Sequence, residues 1–73
     1  MKNAVDYYSG FSMNDGKSLV YCGYSGINNA WLVWRQDGNF MGSLLIHDSR
    51  EDAERDFGSR FEFAKETGAL DDD

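Results

Sequence analysis

The chain has 73 residues, eleven of them aromatic, and a formal net charge of −6. This length allows one small domain, and the aromatic content indicates a packed globule instead of a disordered tail. We therefore predict a single compact domain over residues 1–73. The one cysteine, Cys22, cannot form an intramolecular disulfide, which is the usual support of small secreted domains, so a reducing compartment is favoured.

The sequence does not predict export or membrane insertion. Its longest apolar runs, residues 30–34 and 44–46, are far shorter than the roughly 20 residues that span a bilayer as a helix. The amino-terminal residues lack the apolar stretch and small-residue cleavage site of a signal peptide. We therefore expect a cytoplasmic protein.

The net charge is confined to the last third of the chain. Residues 1–47 hold three acids and three bases, whereas residues 48–73 hold ten acids and four bases, which leaves −6. A protein that binds nucleic acid directly needs cations to displace the counterions of the phosphates. Because few cations lie outside the acidic segment, direct binding of DNA or RNA is not expected.

The first half of the chain predicts strands that are separated by tight turns. Residues 3–12 match either a short helix or a strand, and Gly10 weakens the helix, so we favour the strand slightly. Three further strands are predicted at residues 18–24, 30–36 and 40–47, which are rich in β-branched and aromatic residues. Gly and Asn mark the intervening turns at residues 14–16, 26–29 and 37–39.

From Ser49 onward the apolar spacing changes to that of a helix. Ser49 and Asp52 have the spacing of a capping box, with Asp in place of Glu. Gly68 can adopt the left-handed conformation that ends a helix. Four apolar residues recur along one stripe that should pack on the sheet: Ala53, Phe57, Phe61 and Ala64. Residues 71–73 form an acidic tail, which we expect to fray.

Together these elements predict an α+β fold. It is an antiparallel meander of three or four strands with a C-terminal α-helix packed on one face. The number of strands depends on whether the N-terminal segment is a strand or a short helix.

Catalytic and metal-binding patterns are missing from the sequence, so we predict a protein that is not an enzyme and has no cofactor. Cys22 and His47 are the only residues of their types and would form the one conceivable thiolate–imidazole pair. Cys22, however, lies in an apolar strand, where a thiol behaves as a small hydrophobe. One Cys and one His also leave only carboxylates to complete a metal site, so none is expected.

The acidic residues of the helix and tail are the first candidate binding surface. An array of carboxylates opposite the apolar stripe can imitate the phosphates of a nucleic acid and occupy the groove of a basic protein. The spacing of Glu51 with Arg55 and of Asp56 with Arg60 also suits helix-stabilising ion pairs. The proposed contacts are Glu51, Asp52, Glu54, Glu62, Glu66, Asp71, Asp72 and Asp73.

The second face of the sheet is the alternative surface. Strict alternation places Trp31 and Val33 on one face of their strand, and Met41 and Leu45 on one face of the next. A single helix covers one face only, so we expect these four residues to form an apolar interface on the other. A homodimer mate, a partner, or the aromatic residues near the amino terminus would cover it.

The junction of a strand, Asp48, Ser49 and a helix within residues 40–57 resembles in outline the three-stranded DNA-binding domains of plant and integrase type. Those domains read DNA with cationic and aromatic side chains on the sheet, for which only Lys17 and Arg35 could serve here. In size and acidity the whole chain is similar to small phage-encoded inhibitors of the anti-CRISPR or anti-restriction type, although the two share no motif.

Two functions follow as expectations. The first is an inhibitor or regulator of a basic, nucleic-acid-handling protein, bound through the acidic helix. The alternative is a small assembly or accessory subunit, either a homodimer or a component of a complex, bound through the apolar sheet face.

Overall fold

A computed structural model describes residues 5–71, with side chains from residue 9 onward. It contains a four-stranded antiparallel sheet and one helix, which confirms the predicted α+β fold. Each strand pairs with its neighbour in sequence, so β1 and β4 are the sheet edges. The elements are β1 (Val5–Ser12), β2 (Ser18–Ser25), β3 (Ala30–Asp37), β4 (Phe40–His47) and the helix α1 (Arg50–Glu66).

The first and last hairpin turns form where a glycine supplies a positive φ. This angle is 81° at Gly16 and 61° at Gly38, in the left-handed region that a Cβ atom disfavours. Asp15 shapes the first turn further, because its Oδ1 accepts hydrogen bonds from the amides of Lys17, at 3.0 Å, and Ser18, at 2.8 Å. The predicted turns at residues 14–16 and 37–39 are therefore confirmed.

A polar cluster connects these two hairpin turns. The oxygen of the Ser18 hydroxyl, which is buried, lies within hydrogen-bonding distance of the carboxylates of Asp15 and Asp37, and its one proton can be donated to either of them. Arg35 donates to the same hydroxyl oxygen over 3.0 Å and to Asp37 over 3.3 Å. The hydrogen bond from Ser18 is the main cause that lowers the pKa of both carboxyls, to about 2 for Asp15.

Both ends of the helix are capped as the sequence predicts. The Ser49 side chain accepts a hydrogen bond from the amide of Asp52 over 3.2 Å. At the other end Gly68 has a φ of 75°, and the amide of Ala69 reaches the carbonyl of Ala64 over 2.8 Å. This is the Schellman arrangement, in which a left-handed residue satisfies the last carbonyls of a helix.

The segment after the helix returns to the sheet beside β1. The amide of Asn14 donates to the carbonyl of Ala69 over 2.7 Å, and the amide of Asp71 donates to that of Ser12 over 3.1 Å. Met13 and Leu70 also form an isolated antiparallel bridge. The main-chain amide of Asp71 is thus paired with the sheet, and residues 72 and 73 lie outside the described residues, so the fraying of the acidic tail stays a prediction.

The helix packs on what we call the inner face of the sheet. Cys22 and Val33 are cross-strand partners on this face, and both are fully buried against Ala53. From β1, Phe11 reaches the same core, with its ring centroid 5.4 Å from that of Phe57. The predicted apolar stripe of the helix is confirmed by the burial of Ala53 and Ala64.

The other side of the sheet, the outer face, carries an aromatic pair. The ring centroids of Tyr21 and Trp34 are 5.4 Å apart, and Trp34 is only 3% exposed. The Tyr21 ring lies over Gly10, where a Cβ atom would approach its Cδ1 to 2.9 Å. Phe11 does not cover this face as the sequence allowed, since it packs beneath the helix.

Candidate functional site

Three of the predicted acidic residues form a line on the exposed side of the helix. Glu51, Glu62 and Glu66 are all exposed, and their spacing of 11 and 15 residues places them within about 60° around the helix axis. These three make no ion pair with the part of the chain that the structure describes. We call them the carboxylate line.

Two further predicted contacts are already paired with arginine. Asp52 lies 3.1 Å from Arg55, and Glu54 lies 3.1 Å from Arg50. Arg55 therefore pairs with Asp52 and not, as the sequence had suggested, with Glu51. The expected pair of Asp56 and Arg60 does form, at 3.0 Å. These arginines reduce the negative potential of the acidic surface, so it is weaker than the count of carboxylates suggests.

The tail contributes less to the acidic surface than the sequence implies. Asp71 is exposed, but it lies beside β1 and not on the helix. Asp72 and Asp73 fall outside the described residues. The carboxylate line is therefore the part of the predicted site that the structure brings together.

Most of the exposed large apolar side chains among the described residues lie on β4. Five side chains of this strand are between 43% and 69% exposed, and the strand has no Asp, Glu, Lys or Arg. Scattered exposed apolar residues are ordinary, but five within one strand mark an interaction surface. We call this set the edge strip: Phe40, Met41, Leu44, Leu45 and Ile46.

The structure corrects the predicted apolar interface. Val33 is fully buried beneath the helix and Trp31 packs partly against the same core, so neither lies on the helix-free face. Leu45 pairs with Val33 and therefore shares the inner face, whereas Met41 pairs with Gln36 on the outer face. The prediction that Trp31, Val33, Met41 and Leu45 form one surface on the second face is thus wrong.

The cause of this error is an irregularity in β4. The pairing with β3 shifts between Val33 and Arg35, and Ser43 has a φ of 53°. Such a bulge inserts an extra residue and changes the face on which the following side chains lie. A contact with the helix stabilises this bulge: the Arg60 guanidinium donates a hydrogen bond to the carbonyl of Ser43 over 2.8 Å.

The two edges of the sheet differ in how they are covered. At β1, the segment 69–71 hydrogen-bonds to the end of the strand. β4 pairs with β3 along one edge, and no strand among residues 5–71 pairs with its other edge. An apolar edge strand without Pro or Lys can pair with an added strand, and the bulge at Ser43 divides this edge into two shorter segments on either side of it.

The structure does not join Cys22 and His47 as a nucleophile and its base. Cys22 is fully buried, and burial raises the pKa of its thiol. The imidazole of His47 instead contacts Asp56, with Nε2 2.9 Å from Oδ2. A buried, protonated thiol is a poor nucleophile.

A cleft of about 530 Å³ lies between the second half of the helix and the sheet. Its walls are mainly apolar, including Phe11, Val20 and Phe63, with Arg35 and Arg60 among its polar residues. Both guanidinium groups are engaged by aspartates, at 3.3 Å from Asp37 and 3.0 Å from Asp56 respectively. The cleft thus presents apolar area without a free acid–base pair.

Residues 5–71 contain neither a metal-binding cluster nor a helix that could span a membrane. Within this range the His, Cys, Asp and Glu side chains form no group of three or more that could hold a metal ion. The helix in the same range is too short and too polar to cross a bilayer. Comparison of the chain with family models, curated proteins and solved structures gives no match.

Proposed function

We propose that the protein is a small, non-enzymatic binding subunit that assembles with a protein partner through the edge strip of β4. The observation that carries the proposal is five exposed apolar side chains within one eight-residue edge strand of the described sheet. Such a strand offers backbone hydrogen bonds and apolar area together, which is how many proteins bind an added strand. Because the strip is uncharged, its complexes should resist salt.

The carboxylate line supports a second candidate, which is inhibition of a basic, nucleic-acid-handling protein by nucleic-acid mimicry. Glu51, Glu62 and Glu66 are exposed and aligned, as a surface that attracts cations requires. This function ranks second because arginines already neutralise Asp52 and Glu54. A complex of this kind would weaken as salt rises.

Affinity capture from the native host at about 0.15 M and about 1 M salt tests the two functions together. Ile46→Lys places a charge on the edge strip, and Ile27→Lys is its matched control, since both isoleucines are exposed and Ile27 lies in the β2–β3 turn. The double reversal Glu51→Lys, Glu62→Lys addresses the carboxylate line.

We expect a partner that is retained at high salt by the wild type and by Ile27→Lys but is lost with Ile46→Lys. A partner that Ile46→Lys still binds, and that the double reversal or high salt removes, would contradict binding through β4 and support the mimic.

A further inference from the structure

The cleft between the helix and the sheet is a part of the interior that the chain leaves unfilled. It opens between the second half of α1 and the inner face of the sheet, with Val20 on the sheet side and Phe63 on the helix side. Its volume of about 530 Å³ is far larger than the voids of a packed core. It lies within the roughly 300–1,000 Å³ of small-molecule sites, so the cleft is large enough to take a ligand.

The cleft exists because β4 brings no large side chain into this part of the inner face. Gly42 pairs with Arg35, so it lies on that face. Beyond its chain neighbours, a Cβ atom added at Gly42 would meet only the Phe40 ring among the described residues, at 3.5 Å. The helix contributes small residues to the lining, Ser59 and Ala64. Apolar wall atoms beside such a gap lack contacts, and an apolar ligand that fills it supplies them.

The charged side chains that line the cleft are both cations. Arg35 reaches it from β3 and Arg60 from the helix, and no Asp or Glu among the described residues lines it. This is an exception in a chain whose net charge is −6. An apolar space bordered by guanidinium groups suits a ligand with an apolar body and an anionic head.

Both guanidinium groups keep donors for such a head. Each has five N–H donors. Arg35 uses Nε and Nη2 in bonds to Asp37 and Ser18, and Arg60 uses the same two nitrogens in bonds to Asp56. Among the described residues nothing accepts a hydrogen bond from Nη1 of either group. Because the aspartates already offset much of the positive charge, a single carboxylate suits the site better than a doubly charged phosphate.

We propose that the cleft is a binding site for a small amphipathic carboxylate, of the class of medium-chain fatty acids. The hydrocarbon chain packs on Phe11, Val20 and Phe63, and the carboxylate accepts hydrogen bonds from Arg35 and Arg60. This site goes beyond the proposed assembly through the edge strip and does not depend on it.

Titration of the ¹⁵N-labelled full chain with decanoate, below its micellar concentration, tests the site by NMR. We expect saturable shift changes that are concentrated at the amides of the lining residues. Decanol has the same hydrocarbon chain without the charge and should bind at least about tenfold more weakly, because it loses the charge-assisted hydrogen bonds.

Two phenylalanines provide a matched pair of variants. Phe63 and Phe40 are 68% and 69% exposed, but only Phe63 lines the cleft. Phe63→Ala should weaken decanoate binding at least about threefold, whereas Phe40→Ala should leave it unchanged.

The arginines are tested by the preference for decanoate over decanol. Arg60→Gln and Arg35→Gln should each reduce that preference while the affinity for decanol stays the same. A variant that only disturbs the fold would change both affinities, and far-UV circular dichroism checks that each remains folded.

Three results would overturn the site. They are decanoate shifts that do not saturate or that spread over the whole sheet, equal affinities of the wild type for decanoate and decanol, and binding that Phe40→Ala weakens more than Phe63→Ala does. The affinity-capture result for Ile46→Lys is independent of all three, so either proposal can fail while the other stands.

Discussion

His47 and Asp56 connect the end of β4 to the middle of the helix, with Nε2 of the imidazole 2.9 Å from Oδ2 of the carboxylate. The same carboxylate accepts a hydrogen bond from Arg60 over 3.0 Å. Burial of Asp56 acts to raise its pKa, but the hydrogen bonds from His47 and Arg60 outweigh burial and lower it. One carboxylate therefore holds the helix above the strand that we propose as the interface.

Replacing this carboxylate should destabilise the fold. We expect Asp56→Ala to lower the free energy of unfolding by about 1–3 kcal/mol, because two largely buried partners lose their acceptor. Glu54→Ala is the control, since its pair with Arg50 is exposed and should contribute about 0.5 kcal/mol or less. Urea denaturation measures the free energy of unfolding of both variants. Equal losses of stability would show that the His47–Asp56 contact contributes no more than an exposed ion pair.

Acid should weaken the connection between the two hairpin turns. The folded pKa of Asp15 is about 2 against an ordinary 3.8, and that of Asp37 is also lowered. Both groups bind protons more weakly when folded, so their stabilisation is complete above the ordinary pKa and is lost as the pH falls through the folded one. The free energy of unfolding should therefore decrease between about pH 4 and about pH 2.

The variant Asp15→Asn tests this assignment. It should lose less stability over that pH range than the wild type does, because the titrating group has been removed. Glu51→Gln changes an exposed carboxyl without an ion pair among the described residues, so it should keep the wild-type slope. Chemical denaturation at a series of pH values gives the slope of the free energy of unfolding against pH for the wild type and both variants. A slope for Asp15→Asn equal to that of the wild type would exclude Asp15 as a source of the acid sensitivity.

Two glycines should respond to alanine in opposite directions. Gly58 lies inside the helix, and a Cβ atom added there would meet nothing within 4 Å, so Gly58→Ala should stabilise by about 0.5–1 kcal/mol. At Gly10 a Cβ atom would approach Tyr21 to 2.9 Å, so Gly10→Ala should destabilise by about 1–3 kcal/mol. Thermal unfolding compares the two variants, and a neutral Gly10→Ala would argue against the packing of Tyr21 on β1.

Cys22 should react with thiol reagents only when the structure opens. Its side chain is fully buried and burial raises its pKa, so native protein should react at least about tenfold more slowly than unfolded protein. Time courses with an aromatic disulfide in buffer and in denaturant measure the ratio. A reaction in buffer as fast as that of the unfolded chain would reopen the possibility of a reactive thiol.

Local signals in the sequence were sufficient for most of the fold. Turn residues with positive φ located the first and last hairpins, and the Ser49 cap and Gly68 located the ends of the helix. These features depend on residues within a few positions of one another, which is why they can be read from the chain. The strand at residues 5–12 was favoured only slightly, because the spacing of its apolar residues fits a helix as well as a strand.

The candidate site was predicted less well because it depends on distant contacts. Alternation separated Trp31 and Val33 from Leu32 correctly but could not show which face the helix covers. The bulge at Ser43 broke the alternation in β4. Gly42 beside it is the local signal that could have indicated the bulge, since a glycine inside a strand often marks one. The contact of His47 with Asp56 and the cluster around Ser18 also join separate elements, so spacing along one element could not reveal them.

The closure between residues 12–14 and 69–71 has a consequence for the order of folding. Asn14 and Gly68, which are joined by a 2.6 Å hydrogen bond, are 54 residues apart in sequence, whereas each hairpin joins near neighbours. Closing so long a loop costs more entropy than zipping a hairpin, so the closure should form after the sheet and helix have docked. Its amide protons would then report the last step by which the chain becomes native.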